Sequence, residues 1–331
     1  MAQRLSHPSA AGHPWARLSG ALHRWRLQHA HAQVAQRRAQ LAHWLDGVDA
    51  ATFERNGFLV KRHVLPDAQF EALCQQVLHQ RAPAHEMLQG DTVTRHIAVG
   101  PALLQAAPAL AALLQGRLWS GLTRYVAAAD HAPETFVQTL VTHTRPMARD
   151  PQTWLHADSH RPLMKAWFFL NDVGDDEAPL CYVPGSHRLT PARLDWESQH
   201  AEEAAERGRP PAPHGLYRVD KHELGSMGLG HPARLVVPAN TLIVADTFGF
   251  HKRAQAKRPT MRVELWAGGH RHQGAPAGPL GHWVQRLGGH LNNGQHHHAD
   301  PWHARGPTPP GVLPHWRPQD AACDDARHGA Y

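Results

Sequence analysis

Two histidines and a carboxylate that reach one point can hold a divalent metal, and one stretch of this 331-residue chain offers most of such a set. Trp154-Leu155-His156-Ala157-Asp158 leads into Trp167-Phe168-Phe169-Leu170 and on to Pro184-Gly185-Ser186-His187. Downstream, the apolar run Leu242-Ile243-Val244-Ala245 and the Asp246-Thr247-Phe248-Gly249-Phe250 turn deliver His251. Two histidines and one acid are the facial set that non-heme Fe(II) takes, with coordination positions left open for other ligands. Arg262 follows 11 residues after His251, on what reads as the next strand.

A His-x-acid triplet needs context before it means anything. With 30 histidines and 28 acidic residues, roughly 2.5 such triplets are expected by chance in a chain of this length. His200-Ala201-Glu202 and His298-Ala299-Asp300 are indeed present. The first lies in a charged, Ala-rich helical stretch and the second in a Gly/Pro/His-rich tail. Only His156 and Asp158 stand at the entrance of a strand pattern, where alternate side chains project to one face and can share an ion.

The elements around these residues are readable from periodicity. Residues 15–45 recur at helical intervals through Trp15, Leu18, Leu22, Trp25, Val34, Leu41 and Leu45, predicting a helix that packs this stripe on the main domain. Phe53–Val60 reads as a helix end, a Gly57 stop and a short strand. Helices are predicted over 67–80 with Asp67 as N-cap, over about 101–116, and from Leu118 to Ala128. From residue 135 the period becomes two. Short strands are expected at 136–142, 166–171, 181–183, 235–237, 241–245 and 262–267. Many short strands with Gly, Pro and Asp turns predict a jelly roll. Residues 190–234 read as an insertion with a short helix over Glu197–Arg207 and a Pro210-Pro211-Ala212-Pro213 loop, a common place for a substrate lid.

Composition narrows the function. A net charge of +6 is modest and dispersed, which favours an anionic small molecule over nucleic acid. Cys74, Cys181 and Cys323 form no CxxC pair, so no disulfide framework is expected. The first residues lack the apolar core of a signal peptide, and no stretch approaches 18 apolar residues. A cytoplasmic protein without a transmembrane segment is the expectation.

The arrangement as a whole resembles the phytanoyl-CoA dioxygenase family of Fe(II)/2-oxoglutarate oxygenases. The resemblance rests on His156-Ala157-Asp158, on Lys165-Ala166-Trp167-Phe168-Phe169-Leu170-Asn171-Asp172, and on Ala178-Pro179-Leu180-Cys181-Tyr182-Val183-Pro184-Gly185-Ser186-His187-Arg188. His251, Arg262 and Asn56-Gly57-Phe58-Leu59-Val60 extend it to about residues 51–270. It implies a mainly β, helix-flanked (α+β) fold with a double-stranded β-helix core. Residues 1–50 would be a helical extension, 51–272 the oxygenase domain with its 190–234 insertion, and 273–331 an irregular Gly/Pro/His-rich tail.

The resemblance further implies Fe(II) on His156, Asp158 and His251, with 2-oxoglutarate and O2 as cosubstrates. The distal carboxylate of 2-oxoglutarate would pair with Arg262, whose guanidinium fork suits a carboxylate. Gln138, Thr142 and Trp167 would line the cosubstrate pocket, against the alternative of plain strand packing, and Thr260 could add a hydroxyl. Asp158 leaves no vacancy for a halide, so hydroxylation of a small molecule is implied rather than halogenation. Arg253 departs from the family pattern, either as a second cation in the pocket or as a solvent-facing side chain. His143 and His160 are candidates for the surroundings of the site, and His187 for a structural turn. Two other readings of the residues stay open: a cupin-type metalloenzyme that does not use 2-oxoglutarate, and a non-enzymatic, His-rich metal-binding or sensing protein that uses His296-His297-His298.

Overall fold

The computed structural model describes residues 14–144, 150–207, 218–268 and 302–310. The described residues open with helix α1 (Pro14–Gln40), a 3-10 turn (Ala42–Trp44) and α2 (Gly47–Asn56). Strand β1 (Phe58–Lys61) and α3 (Asp67–Leu78) precede a hairpin of β2 (Ala82–Gln89) and β3 (Thr92–Ala98). Three helices follow, α4 (Pro101–Ala106), α5 (Pro108–Gln115) and α6 (Arg117–Ala127), then β4 (Glu134–Val141). The second half contains β5 (Met164–Phe169), β6 (Leu180–Tyr182), α7 (Pro191–Glu206), α8 (Lys221–Ser226) and β7 (Ala233–Leu235). It closes with β8 (Thr241–Asp246), β9 (His251–Arg253), β10 (Met261–Gly268) and β11 (Trp302–Thr308).

The strands form two antiparallel sheets. The larger runs β1-β8-β5-β10-β4-β3-β2-β11, and the smaller runs β7-β6-β9. Alternation along β5 explains why two layers cover the large sheet. Ala166 and Phe168 join Leu73, Leu110, Trp119, Leu122 and Val126 in a core under helices α3 to α6. Trp167 and Phe169 point the other way and pack with Tyr182, Val173 and Val237 of the smaller sheet's side. Among the described residues helix outweighs strand, 41% against 27%, but the two sheets carry the site, so the fold is α+β on a double-stranded β-helix.

Four details differ from the sequence-based expectations. The stretch expected to be irregular from 273 onward contains β11, paired antiparallel with β2, and His296–His298 lie outside the described residues. The helix expected at about 101–116 is two helices, because Pro108 cannot donate to the turn before it and restarts the chain as the first residue of α5. Most tellingly, α1 is rotated from the predicted stripe. Leu18, Leu22 and Trp25 are exposed, while Ala16, Gly20, His23, Leu27 and Val34 are buried. In addition, α2 runs straight through residue 50, so the helical extension has no break there.

The buried face of α1 lies on α7 and on the β8–β9 turn. Leu27 packs with Leu194 and Phe248, His31 meets the Phe248 ring edge-on at 4.4 Å, and His23 Nε2 is 3.0 Å from Glu197 Oε2. Arg38 donates to Asp246 Oδ2 at 2.9 Å. The insertion is thereby clamped: α7 begins at Pro191, earlier than expected, with Thr190 as N-cap. The Pro210–Pro213 loop lies outside the described residues.

Candidate metal centre and cosubstrate cavity

His156 and His251 are brought together by their backbones. They form an antiparallel bridge in which His156 N–H donates to His251 O at 3.0 Å and His251 N–H to His156 O at 2.8 Å. Asp158 is fixed next to them by its N–H, which donates to Thr247 O at 3.0 Å. The β8–β9 turn that presents His251 is itself tied down. Asp246 Oδ1 accepts from Leu163 N and Phe248 N, and the Tyr182 hydroxyl donates to Asp246 O at 2.6 Å. Gly249 is required in this turn because a Cβ there would collide with the Tyr182 hydroxyl.

The side chains then converge. Asp158 Oδ1 is 3.7 Å from His156 Nε2, and Asp158 Oδ2 is 3.4 Å from His251 Nε2. Each ring has its Nδ1 on a backbone carbonyl, His156 on Trp154 O at 2.6 Å and His251 on Gly249 O at 2.9 Å. Such contacts select the tautomer with a proton on Nδ1 and a free lone pair on Nε2. Burial pushes the His156 imidazole down to about 4, with His251 next in effect, so it stays neutral. Burial opposes ionisation of Asp158, yet Lys165 and then His251 outweigh it and hold its carboxyl well below the usual carboxylate range. His156 Nε2 and Asp158 Oδ2 are buried without a hydrogen-bond partner. Lys165 Nζ lies 2.7 Å from Asp158 Oδ2, an ion pair without hydrogen-bond geometry. Two imidazoles that turn Nε2 toward one carboxylate, with His156 Nε2 and Asp158 Oδ2 buried and unpaired, fit a divalent cation such as Fe(II).

A cavity of about 350 Å³ between the two sheets leads from this cluster. His251 is the member of the triad that lines it, together with Lys165, Gln138, Trp167, Phe169, Arg253 and Arg262. Of the residues expected here, Gln138 and Trp167 are therefore in the wall. Thr142 is not among the lining residues. Its hydroxyl accepts from Thr260 N at 3.2 Å and Thr142 N–H donates to Thr260 O at 3.0 Å, so both threonines serve the strand ends. Arg253 does not face solvent. It is buried against Asp150 and Thr92, and it lines the cavity as a paired cation.

Other histidines have separate occupations. His143 Nε2 contacts Ala256 O, His160 faces His23, and His187 packs on Phe53.

Three participants were invisible to motif reading. Glu264, on the same face of β10 as Arg262, puts Oε2 2.9 Å from Arg262 Nε. His96 on β3 contacts Gln138 Oε1 at 2.6 Å and is surrounded by Phe136, Trp266 and Trp302. Trp302 comes from β11, far from the rest in sequence. Glu264 could have been found by carrying the period of two forward from Arg262. Nothing local marks His96 or Trp302.

Residues 53–221, half of the chain, match the profile of the phytanoyl-CoA dioxygenase (PhyH) family. The chain belongs to this family. His156 and Asp158 lie inside the matched span, whereas His251 and Arg262 lie beyond it and are joined to it only by the fold. As a phytanoyl-CoA dioxygenase family member the protein is an enzyme of the dioxygenase type, with iron and 2-oxoglutarate as its cofactors. No curated protein matches its sequence.

Among solved structures, the epimerase SnoN in complex with Fe3+, alpha ketoglutarate and nogalamycin RO is similar at 16% identity. That match covers 70% of this chain and 83% of SnoN, with a TM-score of 0.43. HygX from Streptomyces hygroscopicus with nickel, 2-oxoglutarate and hygromycin B bound is 16% identical over 68% of this chain and 86% of its own, with a TM-score of 0.39. EctD from S. alaskensis with 2-oxoglutarate and 5-hydroxyectoine is 13% identical over 68% and 76%, with a TM-score of 0.40. Among the described residues, no helix is long and apolar enough to cross a membrane.

Proposed function

We propose that the protein hydroxylates an unactivated C–H bond of a small molecule, with 2-oxoglutarate converted to succinate and CO2. The observation that carries this reading is the pair of backbone-bridged histidines whose Nε2 atoms meet Asp158, with His251 lining the same cavity as Arg262. His156, Asp158 and His251 would hold the iron. When bound, the iron with O2 and 2-oxoglutarate supplies the oxidising chemistry.

The protein's part is positional and electrostatic. Trp154 O and Gly249 O keep both imidazoles aimed, with Nε2 turned to Asp158. Arg262, on the buried face of β10, offers the guanidinium that would seat the distal carboxylate of 2-oxoglutarate. Trp167 and Phe169 give the cavity an apolar wall that limits water around the reacting atoms. Asp158, as a third protein ligand, would leave room for cosubstrate and O2 but not for a halide, which favours hydroxylation. Arg253 spends its charge on Asp150, so it adds no free cation in favour of an anionic substrate.

Succinate formation by anaerobically purified protein, on addition of Fe(II), 2-oxoglutarate and O2, tests this reading. Release is expected to vanish in His156→Ala, and the 2-oxoglutarate concentration needed is expected to rise at least tenfold in Arg262→Ala. Equal signals from wild type and His156→Ala would overturn it.

A further inference from the structure

Arg262 already holds a carboxylate. Its Nε lies 2.9 Å from Glu264 Oε2, its Nη2 donates to Glu264 Oε1 at 3.3 Å, and its Nη1 donates to Ala178 O at 3.0 Å. Glu264 is fully buried. A cosubstrate whose distal end is a second carboxylate must share this guanidinium with it. Resting on the 2-oxoglutarate reading above, we propose that Glu264 is a further cosubstrate-binding residue that works as a carboxylic acid. It takes up one proton from solvent as 2-oxoglutarate binds, which frees Arg262 for the incoming carboxylate.

The hydrogen bonds say which oxygen receives the proton. His96 contacts Gln138 Oε1, which leaves Gln138 Nε2 to donate to Glu264 Oε1 at 2.5 Å. Oε1 is thus committed as an acceptor. Oε2 is buried with no directed hydrogen bond, and so is its neighbour Arg262 Nε. The pair is close but poorly aligned, so a proton on Oε2 sacrifices little and releases Arg262 Nε toward the ligand.

Charge balance points the same way. Around Glu264 stand Arg262 on its own strand, Gln138 and His96 from β4 and β3, Phe169 from β5, and Arg253 from β9 with its partner Asp150. Arg262 and Arg253 are matched by Glu264 and Asp150 before any ligand arrives. Lys165 pairs with Asp158 at the metal end. Two carboxylates on one buried guanidinium repel at contact distance, and such pairs are relieved when one of them takes a proton. Glu264 is the one disposed to do so: burial holds its carboxyl above the ordinary range even with Arg262 and Gln138 beside it.

The test is calorimetric titration of 2-oxoglutarate into the full-length, Fe(II)-loaded protein under argon, in buffers of different ionisation enthalpy. One proton taken up per cosubstrate is expected. Above the free-state titration of Glu264, Kd should rise about tenfold per pH unit. Glu264→Gln should bind without proton uptake, with a Kd that no longer depends on pH in this range. Oxalate, which chelates metal through the same kind of head and has no distal carboxylate, should bind wild type without the proton.

Binding of 2-oxoglutarate to wild type with no proton uptake would overturn the proposal and leave the cosubstrate reading intact. Equal proton uptake with oxalate would also overturn it, by assigning the proton to the metal end. No binding of 2-oxoglutarate to either protein would bring down the cosubstrate reading itself. The wild-type proton count decides the matter even if Glu264→Gln does not fold.

Discussion

At the scale of single residues, the metal site is a backbone construction before it is a side-chain one. His156 and His251 exchange both amide hydrogen bonds, so anything that shifts the β8–β9 turn shifts a ligand. Gly249→Ala forces a methyl group against Tyr182. Overpacking of this kind costs about 1–3 kcal/mol, and a displaced ligand typically weakens metal binding 10- to 100-fold. Urea unfolding and metal titration of this variant should show both losses together. His156, Asp158, His251 and Arg262 were legible in the sequence because their spacing coincided with strand signals. Lys165 and Glu264 were not singled out, although both reach the same site, because a lone lysine or glutamate on a strand has no spacing to advertise it. Thr142 shows the converse: a plausible position on the right strand whose hydroxyl is consumed by Thr260 N.

At the scale of elements, what the sequence concealed was hidden by buried charge. The β2–β3 hairpin turns at Gly90-Asp91, yet its inward positions include Glu86 and Arg95, so alternation of apolar and polar residues is lost. Arg305 on β11 closes the same group through Glu86 at 2.8 Å. Helix α1 has the same problem, since His23 and Gly20 occupy its inner face while Leu18, Leu22 and Trp25 decorate the outer one. Its rotation is easily checked. Leu27→Ala should cost about 2–5 kcal/mol, whereas Leu18→Ala should stay within about 0.5 kcal/mol. Chemical denaturation of the two variants distinguishes the observed face from the one suggested by the apolar stripe. Arg38→Met should be worse than a surface change, about 3–5 kcal/mol, because Asp246 keeps a buried charge without its partner. Adding Asp246→Asn should restore part of that loss, since the amide oxygen can still accept from Leu163 N and Phe248 N.

At the scale of the whole molecule, histidine sets the response to acid. Burial is the largest cause in His31, His96, His160 and His187, each of which is pushed down to about 4. All four are neutral in the fold and ordinary in the unfolded chain, so acidification below about pH 6.5 protonates the unfolded chain first and draws the equilibrium toward it. Each lowering from 6.5 to about 4 corresponds to about 3 kcal/mol of stability, lost completely only near the lower value. Against a typical total of about 5–15 kcal/mol, this predicts a steep fall in Tm between pH 6.5 and 5, measurable by circular dichroism. A flat Tm over that interval would mean that these rings are not buried as described.

The clasp between α1 and the β8–β9 turn also has a bearing on how the chain is made. Arg38 leaves the ribosome 208 residues ahead of Asp246, and His23 leaves it 174 residues ahead of Glu197. Helix α1 therefore waits, with Leu27 and its charges uncovered, until α7 and the β8–β9 turn have emerged. Nascent chains halted between α6 and α7 should consequently be the ones that recruit a holding chaperone, and release should coincide with the synthesis of the very turn that delivers the second histidine.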